Sequence, residues 1–571
     1  MLLFAFVAIL AAGAGTVWLT SAIAGVLGGT SPVGVSLDEA GQIFAALPSN
    51  LDDPAAAWPH ERRGELPGAT AMLIALILAV LLVLATLCVA VFALLRMQRM
   101  RQPSSGAQWA TSKELRDLRV DAPERGRLIL GRQGRRLLAA EPRASVMVIA
   151  PAQSGKTTGL AVPGILEWDG PVLATSVKGD LVHDTLGARA TVGEVRVFDP
   201  TGSTGLPTAA WSPVGASATW EGARRTAARL LELRESRSAS SDEAFWRPAA
   251  ARYLAPLLYA ASFDRLVMGD VLSWIATTNE DEPRELLEQM QAGGLAGALP
   301  ALEALQLVWE ADSRSRSSML LTAATALDAW QEPAVAAATG GPGAIDAAWL
   351  LSGANTLYLS APADDQKRLR GLFTALVADV VATAFAESTR TGKPLDPPLL
   401  LCLDEAANVA PLPNLDELAS TGPGQGVQLL SVFQNVSQIH DRWGRERGET
   451  IMANHRARLF GAGIGDKATL DYVGAILGDE LVQKASSHRD RLSLLELGSR
   501  TDTHEYRRLA TPNRVRQAEL DTALLVYGRL PPAWLKLRPW YRDAGLRRQV
   551  ETPPPPARSP VPPVSASEAR A

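Results

Sequence analysis

The sequence predicts an α/β protein built around a nucleotide-binding domain, with an all-α insertion in that domain and two apolar helices before it. Three observations support this fold class. A short apolar run at 146–149 leads into a phosphate-binding loop, and a second apolar run at 399–403 ends on two acids. Two apolar stretches of membrane length lie near the N-terminus. Short continuous apolar runs such as those at 146–149 and 399–403 are typical of strands buried on both faces.

The phosphate-binding loop follows the first apolar run and ends in Ser-Gly-Lys-Thr. In such a loop, backbone N–H groups surround the β-phosphate, and the next helix adds partial positive charge from its N-terminus. Lys156 is predicted to reach the β- and γ-phosphates, and Thr157 to ligate Mg²⁺. The residues predicted to bind ATP are Ala152, Gln153, Ser154, Gly155, Lys156, Thr157 and Thr158. Ala150 replaces the first glycine of the motif, so the turn there must suit an L-residue.

The second apolar run ends at Asp404 and Glu405. We expect Asp404 to hold Mg²⁺, directly or through water, and Glu405 to orient or deprotonate the water that attacks the γ-phosphate. A third run, at 427–433, ends at Gln434, which could sense the γ-phosphate from the neighbouring strand. The alternatives are two solvated acids and an ordinary polar strand end. With Lys156, these residues predict an ATPase whose catalytic residues are Lys156, Glu405 and Gln434.

Length and charge limit the remaining classes of protein. A chain of 571 residues exceeds the usual size of one domain, so two or three folded units are expected. The net charge of −4 gives no global positive field, so any contact with nucleic acid requires a local basic patch. The six histidines are scattered, and neither Cys88 nor Cys402 has metal-ligand spacing, so the sequence predicts no zinc site or disulfide.

The two N-terminal apolar stretches predict a transmembrane hairpin. The second, at 70–96, carries no charge before Arg96 and is longer than the roughly 20 residues that cross a bilayer. Arginines follow it directly, which by the positive-inside rule places the rest of the chain in the cytoplasm. The first stretch, at 1–28, is less hydrophobic. A cleaved signal peptide is the alternative there, although no Lys or Arg precedes the apolar core. Residues 29–69 would form an extracytoplasmic loop.

The rest of the chain divides by composition. Residues 97–220 hold the first part of the nucleotide domain, in which a polar, Arg-rich approach at 103–144 precedes the first strand. Residues 221–345 have helical periodicity and predict an all-α domain, after which the nucleotide domain resumes over 346–545. The Pro-rich tail at 546–571 has too little apolar content to fold. We expect it to be disordered, either as a solvated arm or as a segment that binds a partner.

The combination resembles the type IV secretion coupling proteins of the TraG/TraD family, and the resemblance covers nearly the whole chain from 1 to about 545. The motifs that carry it are Ala150-Pro151 with Ser154-Gly155-Lys156, Val162-Pro163, Val177-Lys178-Gly179-Asp180, Phe198-Asp199-Pro200, Trp211-Ser212-Pro213, Phe245-Trp246, Asp404-Glu405-Ala406-Ala407-Asn408, Gly424-Gln425-Gly426 and Gln434-Asn435-Val436-Ser437-Gln438.

The resemblance implies a RecA- and FtsK-like motor that uses ATP and Mg²⁺ and forms a homo-hexamer in the plasma membrane of a bacterium. It also implies that relaxase-bound single-stranded DNA, protein or both are passed to the components of a secretion channel. Family members often carry an arginine after the acidic pair, proposed to reach the ATP site of the neighbouring subunit. Here Pro423 takes that place. Arg442, Arg445, Arg456 and Arg458 follow within the same domain and could substitute for that arginine.

Two other functions stay open from the sequence. An FtsK-like duplex-DNA translocase shares the motor, but such proteins commonly have more membrane helices and a C-terminal winged-helix module, for which we find no pattern here. A low-turnover receptor that docks substrate would also keep the membrane hairpin and the helical insertion. The intact set of Lys156, Thr157, Asp404 and Glu405 argues against the receptor.

Overall fold

The computed structural model describes residues 2–29, 31, 33–101, 106–232, 241–339, 345–487 and 500–553. The chain forms two compact units, Met1–Ser105 and Gly106–Ala571. The predicted Pro-rich tail lies outside the described residues from 554 onward.

The first unit is built from three helices, α1 Leu2–Gly28, α2 Leu37–Ala46 and α3 Ala69–Arg101. α1 packs against both α2 and α3, around a small core that includes Val17, Ile43 and Met72. A capping box starts α2, because the Ser36 backbone N–H donates to Glu39 (2.8 Å) while the Glu39 N–H donates to the Ser36 hydroxyl. The segment between the two apolar helices is therefore partly helical and folds onto α1.

Two helices within the described residues are long and apolar enough to cross a membrane, Ala69–Ala90 in the first unit and Ala363–Thr391 in the second. In the first of them Leu81, Leu84 and Val89 expose 57%, 52% and 68% of their surface. A helix with so many exposed aliphatic side chains is suited to lipid rather than to water. The second helix is mostly buried and belongs to the core of its own unit. The described part of α1 gives a shorter apolar helix, Ala12–Gly28.

The second unit contains the strands and the remaining helices. Its described strands are β1 Arg119–Val120, β2 Ile129–Gln133, β3 Arg136–Ala139, β4 Val146–Ile149, β5 Val172–Ser176, β6 Val195–Phe198, β7 Thr356–Ser360, β8 Leu399–Leu403, β9 Val427–Phe433, β10 Ala457–Gly461, β11 Asp479–Ser487, β12 Arg500–Arg508, β13 Thr522–Tyr527 and β14 Ala533–Lys536. Its described helices are α4 Val162–Leu166, α5 Asp180–Val192, α6 Trp220–Glu232, α7 Ser241–Phe263, α8 Met268–Ala276, α9 Asp281–Ala292, α10 Ala298–Trp309, α11 Ser313–Ala326, α12 Pro333–Ala338, α13 Ala347–Leu351, α14 Ala363–Thr391, α15 Leu415–Gln425, α16 Val436–Trp443, α17 Arg445–Asn454, α18 Lys467–Leu477, α19 Pro512–Arg516 and α20 Ala544–Val550.

Twelve of these strands form one sheet, in the order β1-β3-β2-β14-β13-β10-β4-β9-β8-β5-β7-β6. The strands from β10 to β6 are all parallel to their neighbours. On the other side of β10 the pairing is antiparallel. We call these regions the parallel half and the antiparallel half. β11 and β12 form a separate antiparallel pair.

Both faces of the sheet are covered. In β4, Met147 and Ile149 belong to one hydrophobic cluster, and Val146 and Val148 belong to the other. Alternate residues of a strand point to opposite faces, so an apolar residue is needed at every position. The three strands expected from apolar runs are present as β4, β8 and β9, and the α/β fold class is confirmed. The stretch at 103–144 is more structured than a polar approach, because it contains β1, β2 and β3.

Helices replace strands between β6 and β7, where α6 to α12 follow one another from Trp220 to Ala338. α7 lies at the centre of this region and packs against α6, α9, α10 and α11. The region starts one residue before the insertion expected at 221–345 and otherwise lies within it. At the other end of the unit, α20 continues to Val550, so the boundary expected at 546 falls inside a helix.

Candidate functional site

The phosphate-binding loop connects β4, in the middle of the sheet, to a helix that starts with a π-helical turn, Thr157–Ala161. Two loop residues adopt positive φ, Gln153 at +62° and Gly155 at +82°. Glycine is required at 155 for two reasons: the positive φ, and the lack of space, since a Cβ there would come within 2.8 Å of Asp521 Oδ1.

Ala150 fits the position where the motif has glycine, because its backbone N–H continues the sheet by donating to the Phe433 carbonyl at 3.0 Å. Ala150 is not among the described residues with positive φ. Space for its methyl group comes from the next strand, where a Cβ on Gly461 would lie 2.7 Å from the Cβ of Ala150. Ala150 therefore has a backbone conformation that an L-residue adopts without strain, as the sequence required.

Lys156 is buried and donates to Glu405 Oε1 at 2.9 Å, with the Ala150 carbonyl 3.5 Å away. Next to it, the Thr157 hydroxyl donates to Asp404 Oδ2 at 3.1 Å. The fold thus brings together the two motifs that the sequence placed far apart. Each residue of Lys156-Thr157 contacts one carboxylate of the acidic pair.

Asp404 is held at the end of β8 by the Thr175 hydroxyl, which donates to its backbone carbonyl at 2.8 Å. Burial, and then the charge of Glu405, raises the pKa of the Asp404 carboxyl to about 6, while Lys156 opposes that shift. Its second oxygen, Oδ1, is buried and has no hydrogen-bond partner in the described part of the chain. A buried carboxylate oxygen beside a threonine hydroxyl suits Mg²⁺, which prefers hard oxygen ligands.

Glu405 adopts φ +55°, a conformation that is uncommon for a residue with a side chain. Two amides fix its carboxylate: Gln434 Nε2 donates to Oε2 at 3.0 Å and Asn408 Nδ2 at 3.3 Å. Gln434 follows β9, the strand next to β8. Gln434 therefore contacts the acid that is expected to orient water.

A cavity of about 550 Å³ lies over these side chains. Its lining includes all but one of the predicted ATP-binding residues; the exception, Ser154, is buried, and its hydroxyl has no partner among the described residues. The lining residues from the predicted site are Ala152, Gln153, Gly155, Lys156, Thr157, Thr158, Asp404, Glu405 and Gln434. Among the described residues, no group of three His, Cys, Asp or Glu could hold a metal ion on its own.

Sequence reasoning missed the part of the wall that the C-terminal segment supplies. Asp521, Tyr541 and Arg542 line the cavity, and Arg542 Nη1 contacts Asp521 Oδ2 at 2.6 Å. This arginine therefore lines the same cavity as the predicted ATP-binding residues. We find no sequence signal that could have placed these residues here, since Asp521 lies in a turn and the other two lie in a short 3-10 helix, far from either motif.

The four arginines considered as substitutes for Pro423 are not among the residues that line this cavity. Arg456 pairs with Glu141 at 2.7 Å, and Arg458 donates to the Tyr472 hydroxyl at 2.9 Å. Arg442 donates to a backbone carbonyl near the acidic pair, whereas Arg445 is exposed. Pro423 itself is buried in α15.

The fold and the site together define a P-loop nucleotide-binding protein. A family model described as "Type IV secretory system Conjugative DNA transfer" matches residues 107–563. That range covers most of the chain, and the protein belongs to this family.

Among curated relatives, Protein VirD4 of Rhizobium radiobacter is 23% identical over 418 residues, which is 71% of this chain and 58% of that protein. Conjugal transfer protein TraG of Escherichia coli is 25% identical over 392 residues, 64% of this chain and 61% of that protein. The match thus spans only about three fifths of the length of these relatives.

Solved structures of the bacterial conjugative coupling protein TrwB share the fold. The unbound monoclinic form has a TM-score of 0.58 at 18% identity and covers 76% of this chain and 92% of that chain. TrwB in complex with the non-hydrolysable ATP analogue ADPNP gives 0.57 at 19% identity, covering 76% of this chain and 95% of that chain. TrwB in complex with ADP and Mg²⁺ gives 0.56 at 20% identity, covering 76% and 94%.

Proposed function

We propose that this protein is a membrane-anchored ATPase that couples DNA, alone or bound to a relaxase or other protein, to a type IV secretion channel and drives its transfer. The observation that carries the proposal is the contact of Lys156 with Glu405 beside the Thr157–Asp404 pair. Membership of the conjugative DNA transfer family supports the substrate class. The relatives solved with ADPNP and with ADP and Mg²⁺ support ATP and Mg²⁺ as ligands.

The residues have separable tasks in hydrolysis. Lys156 neutralises charge that develops on the transferred phosphoryl group, and Thr157 and Asp404 supply oxygen ligands. Mg²⁺, when bound, neutralises the β- and γ-phosphate oxygens. Glu405 accepts the proton of the attacking water while Gln434 and Asn408 hold its carboxylate in place. The 2.9 Å contact between Lys156 and Glu405 must open, because one charge has to reach the phosphate and the other has to face water.

The decisive test combines turnover with transfer. Lys156→Ala in the full chain should abolish ATP hydrolysis and DNA transfer from a donor cell, because the charge on the β- and γ-phosphates is lost. Glu303→Gln, an exposed change in the helical region, is the control and should behave as the parent. Transfer that persists at the parent level in Lys156→Ala would contradict the proposal and favour the substrate-docking receptor.

The proposal includes a topology in which α1 and α3 both cross the plasma membrane and the second unit is cytoplasmic. Support comes from the exposed aliphatic surface of α3 and from the arginines that end it. A cysteine at exposed Ala45 should react with an impermeant maleimide on intact cells, while a cysteine at exposed Ser112 should react only after the membrane is opened. Labelling of Ser112→Cys on intact cells would contradict this topology.

We further propose a homo-hexamer in which each ATP site is completed by a neighbouring subunit, on the strength of the family resemblance. Charge supplied in trans accelerates phosphoryl transfer by about 10³–10⁵-fold in well-studied cases. Turnover per subunit should therefore rise with protein concentration. A rate that stays constant over a hundredfold dilution, with monomers seen by light scattering, would contradict the shared site.

A further inference from the structure

Two arginines lie close together directly behind the acidic pair. Arg370 is on α14, and its Nε donates to the Asn408 carbonyl at 3.3 Å. Arg442 is at the end of α16, and its Nε donates to the Ala407 carbonyl at 3.1 Å. The two guanidinium groups thus rest on consecutive carbonyls of the turn that follows Glu405.

Neither arginine of this pair has a carboxylate within ion-pair distance among the described residues, although both are partly buried. Burial, and then the charge of Arg442, lowers the pKa of Arg370 to about 10, and burial lowers the pKa of Arg442 as well. Both guanidinium groups nevertheless remain charged at neutral pH. Two like charges in a partly desolvated place are unfavourable unless an anion compensates for them.

Each guanidinium group uses its Nε to contact the backbone, and within the described residues no hydrogen bond involves the Nη atoms of either. The Nη groups form the planar face that arginine offers to a carboxylate or phosphate. The pair is separate from the nucleotide cavity of its own subunit, because neither arginine lines it. It is nevertheless adjacent, since Asn408 and Gln366 both line that cavity and Gln366 lies one helical turn before Arg370.

The turn beneath the pair leads to the catalytic acid. The backbone N–H groups of Asn408 and Val409 donate to the Glu405 carbonyl at 2.8 and 3.1 Å, and the Asn408 side chain holds Glu405 Oε2. A ligand that pulls on the two guanidinium groups therefore displaces the same turn that sets the position of the Glu405 carboxylate.

We propose that Arg370 and Arg442 together bind a phosphate group from outside the subunit, and that this binding is transmitted to Glu405 through the turn at 405–409. This inference rests on the proposed function. The shared chemistry is a phosphate ester, and it can come from a nucleic-acid strand or from the nucleotide of a neighbouring subunit. The experiment has one arm for each source.

The first arm measures binding of a fluorescent oligo(dT) to the full-length protein in detergent, without nucleotide, over a range of salt concentrations. Arg370→Gln with Arg442→Gln should weaken binding roughly tenfold, as expected for lost charge-assisted hydrogen bonds. It should also reduce the slope of log affinity against log salt by about 0.7 for one phosphate contact. Arg390→Gln, an exposed change near the end of the same helix, should match the parent.

The second arm measures turnover in mixtures of parent subunits with the double variant. If the phosphate belongs to the nucleotide of a neighbouring subunit, the double variant should bind oligo(dT) as the parent does. The turnover of the mixtures should then fall by more than the fraction of variant subunits in them. Asn408→Ala tests the transmission, and should keep the oligo(dT) affinity while losing any stimulation of turnover by DNA. The double variant Arg370→Lys/Arg442→Lys keeps both positive charges and serves as the control for misfolding caused by their loss.

The inference would be overturned if the double variant Arg370→Gln/Arg442→Gln matched Arg390→Gln both in oligo(dT) binding and in the turnover of mixtures with parent subunits. The proposed function would be unaffected by that result. A parent protein that neither hydrolyses ATP nor binds oligo(dT) would instead contradict the proposed function, so the two failures are distinguishable.

Discussion

The two halves of the twelve-stranded sheet differ in what they contribute to the site. From the parallel half come Lys156 after β4, Glu405 after β8 and Gln434 after β9, all within one cavity. The antiparallel half supplies Asp521, directly before β13, and Arg542, in the segment after β14. The residues proposed for catalysis thus belong to the parallel half, and the antiparallel half completes the wall of the cavity.

Strand direction explains the difference. Parallel strands end at one edge of a sheet, so their carboxyl-terminal residues converge there, which is where ligands bind in open α/β sheets. Antiparallel strands alternate in direction, so fewer of their ends reach that edge. The antiparallel half meets the site through Asp521, which a Cβ on Gly155 would approach to 2.8 Å. We therefore expect changes in the parallel half to alter turnover, and changes in the antiparallel half to alter stability or nucleotide affinity.

The largest effect is expected at Glu405, in the parallel half. Glu405→Gln should keep ATP binding and slow hydrolysis by on the order of 10²-fold or more, because a general base is lost while the hydrogen-bonding shape is retained. Single-turnover hydrolysis and fluorescent-nucleotide binding separate the two quantities. Glu303→Gln serves as the matched control, and turnover at the parent rate in Glu405→Gln would remove Glu405 from its proposed role.

Much of the parallel half could be predicted because burial on both faces demands continuous apolar runs. Val146 to Ile149 and Leu399 to Leu403 show such runs without interruption, and each ends in residues with recognisable chemistry. The bounds of β4, β8 and β9 follow from that pattern. The proximity of Lys156 to Glu405 could be inferred as well, because two motifs at strand ends of one parallel sheet must meet.

The first strands of the antiparallel half, β1 to β3, gave no comparable signal. β1 has two residues and β3 has four, too few to establish a period, and a register shift between Ile129 and Gly131 interrupts the pairing of β2 with β3. Arg542 was missed for a related reason, since one exposed arginine in a single 3-10 turn resembles any other in sequence. Its position depends on the ion pair with Asp521, which only the tertiary fold creates.

The second prediction concerns His455, which lies two residues before β10, the strand at which the parallel and antiparallel halves meet. Its ring contacts the Ile451 carbonyl at 2.7 Å and the Ser431 hydroxyl on β9 at 3.2 Å. Burial lowers the pKa of His455 from 6.5 to about 4. The unfolded chain therefore binds more protons between these values, and the free energy of unfolding falls as the pH drops through this window.

From pH 7.5 to pH 5, His455 alone should remove about 2 kcal/mol of stability. Melting of the full chain in detergent at the two pH values measures this. His455→Gln should lower the melting temperature at pH 7.5 but show a smaller loss on acidification, whereas the exposed His183→Gln should lose as much as the parent. An equal loss in His455→Gln and the parent would show that this histidine does not titrate as argued.

A third, smaller effect is expected at Tyr527 on β13. Its hydroxyl accepts from the Glu141 backbone N–H at 2.8 Å, and that contact ties β13 to the loop before β4. The same hydroxyl donates to Glu141 Oε2 at 3.3 Å. Tyr527→Phe should reduce the free energy of unfolding by about 1–2 kcal/mol, since two hydrogen bonds of roughly 1 kcal/mol or less each are lost, with turnover unchanged. Tyr506→Phe, at an exposed position on β12, should change neither. Impaired turnover in Tyr527→Phe would show that the antiparallel half takes part in the chemistry.

The smallest effect is expected at Arg542, which is exposed over 66% of its side chain and paired with Asp521. Exposed ion pairs contribute up to about 1 kcal/mol, so Arg542→Gln should raise KM for ATP by at most about fivefold and leave kcat unchanged. Arg547→Gln on α20 removes an arginine of similar exposure outside the cavity and should leave both constants unchanged. If Arg542→Gln lowered kcat by tenfold or more, Arg542 would be acting on the transferred phosphoryl group. The antiparallel half would then supply a catalytic residue, contrary to the division of roles argued above. An arginine from a neighbouring subunit would also be less necessary, because Arg542 would already supply positive charge to the phosphoryl group.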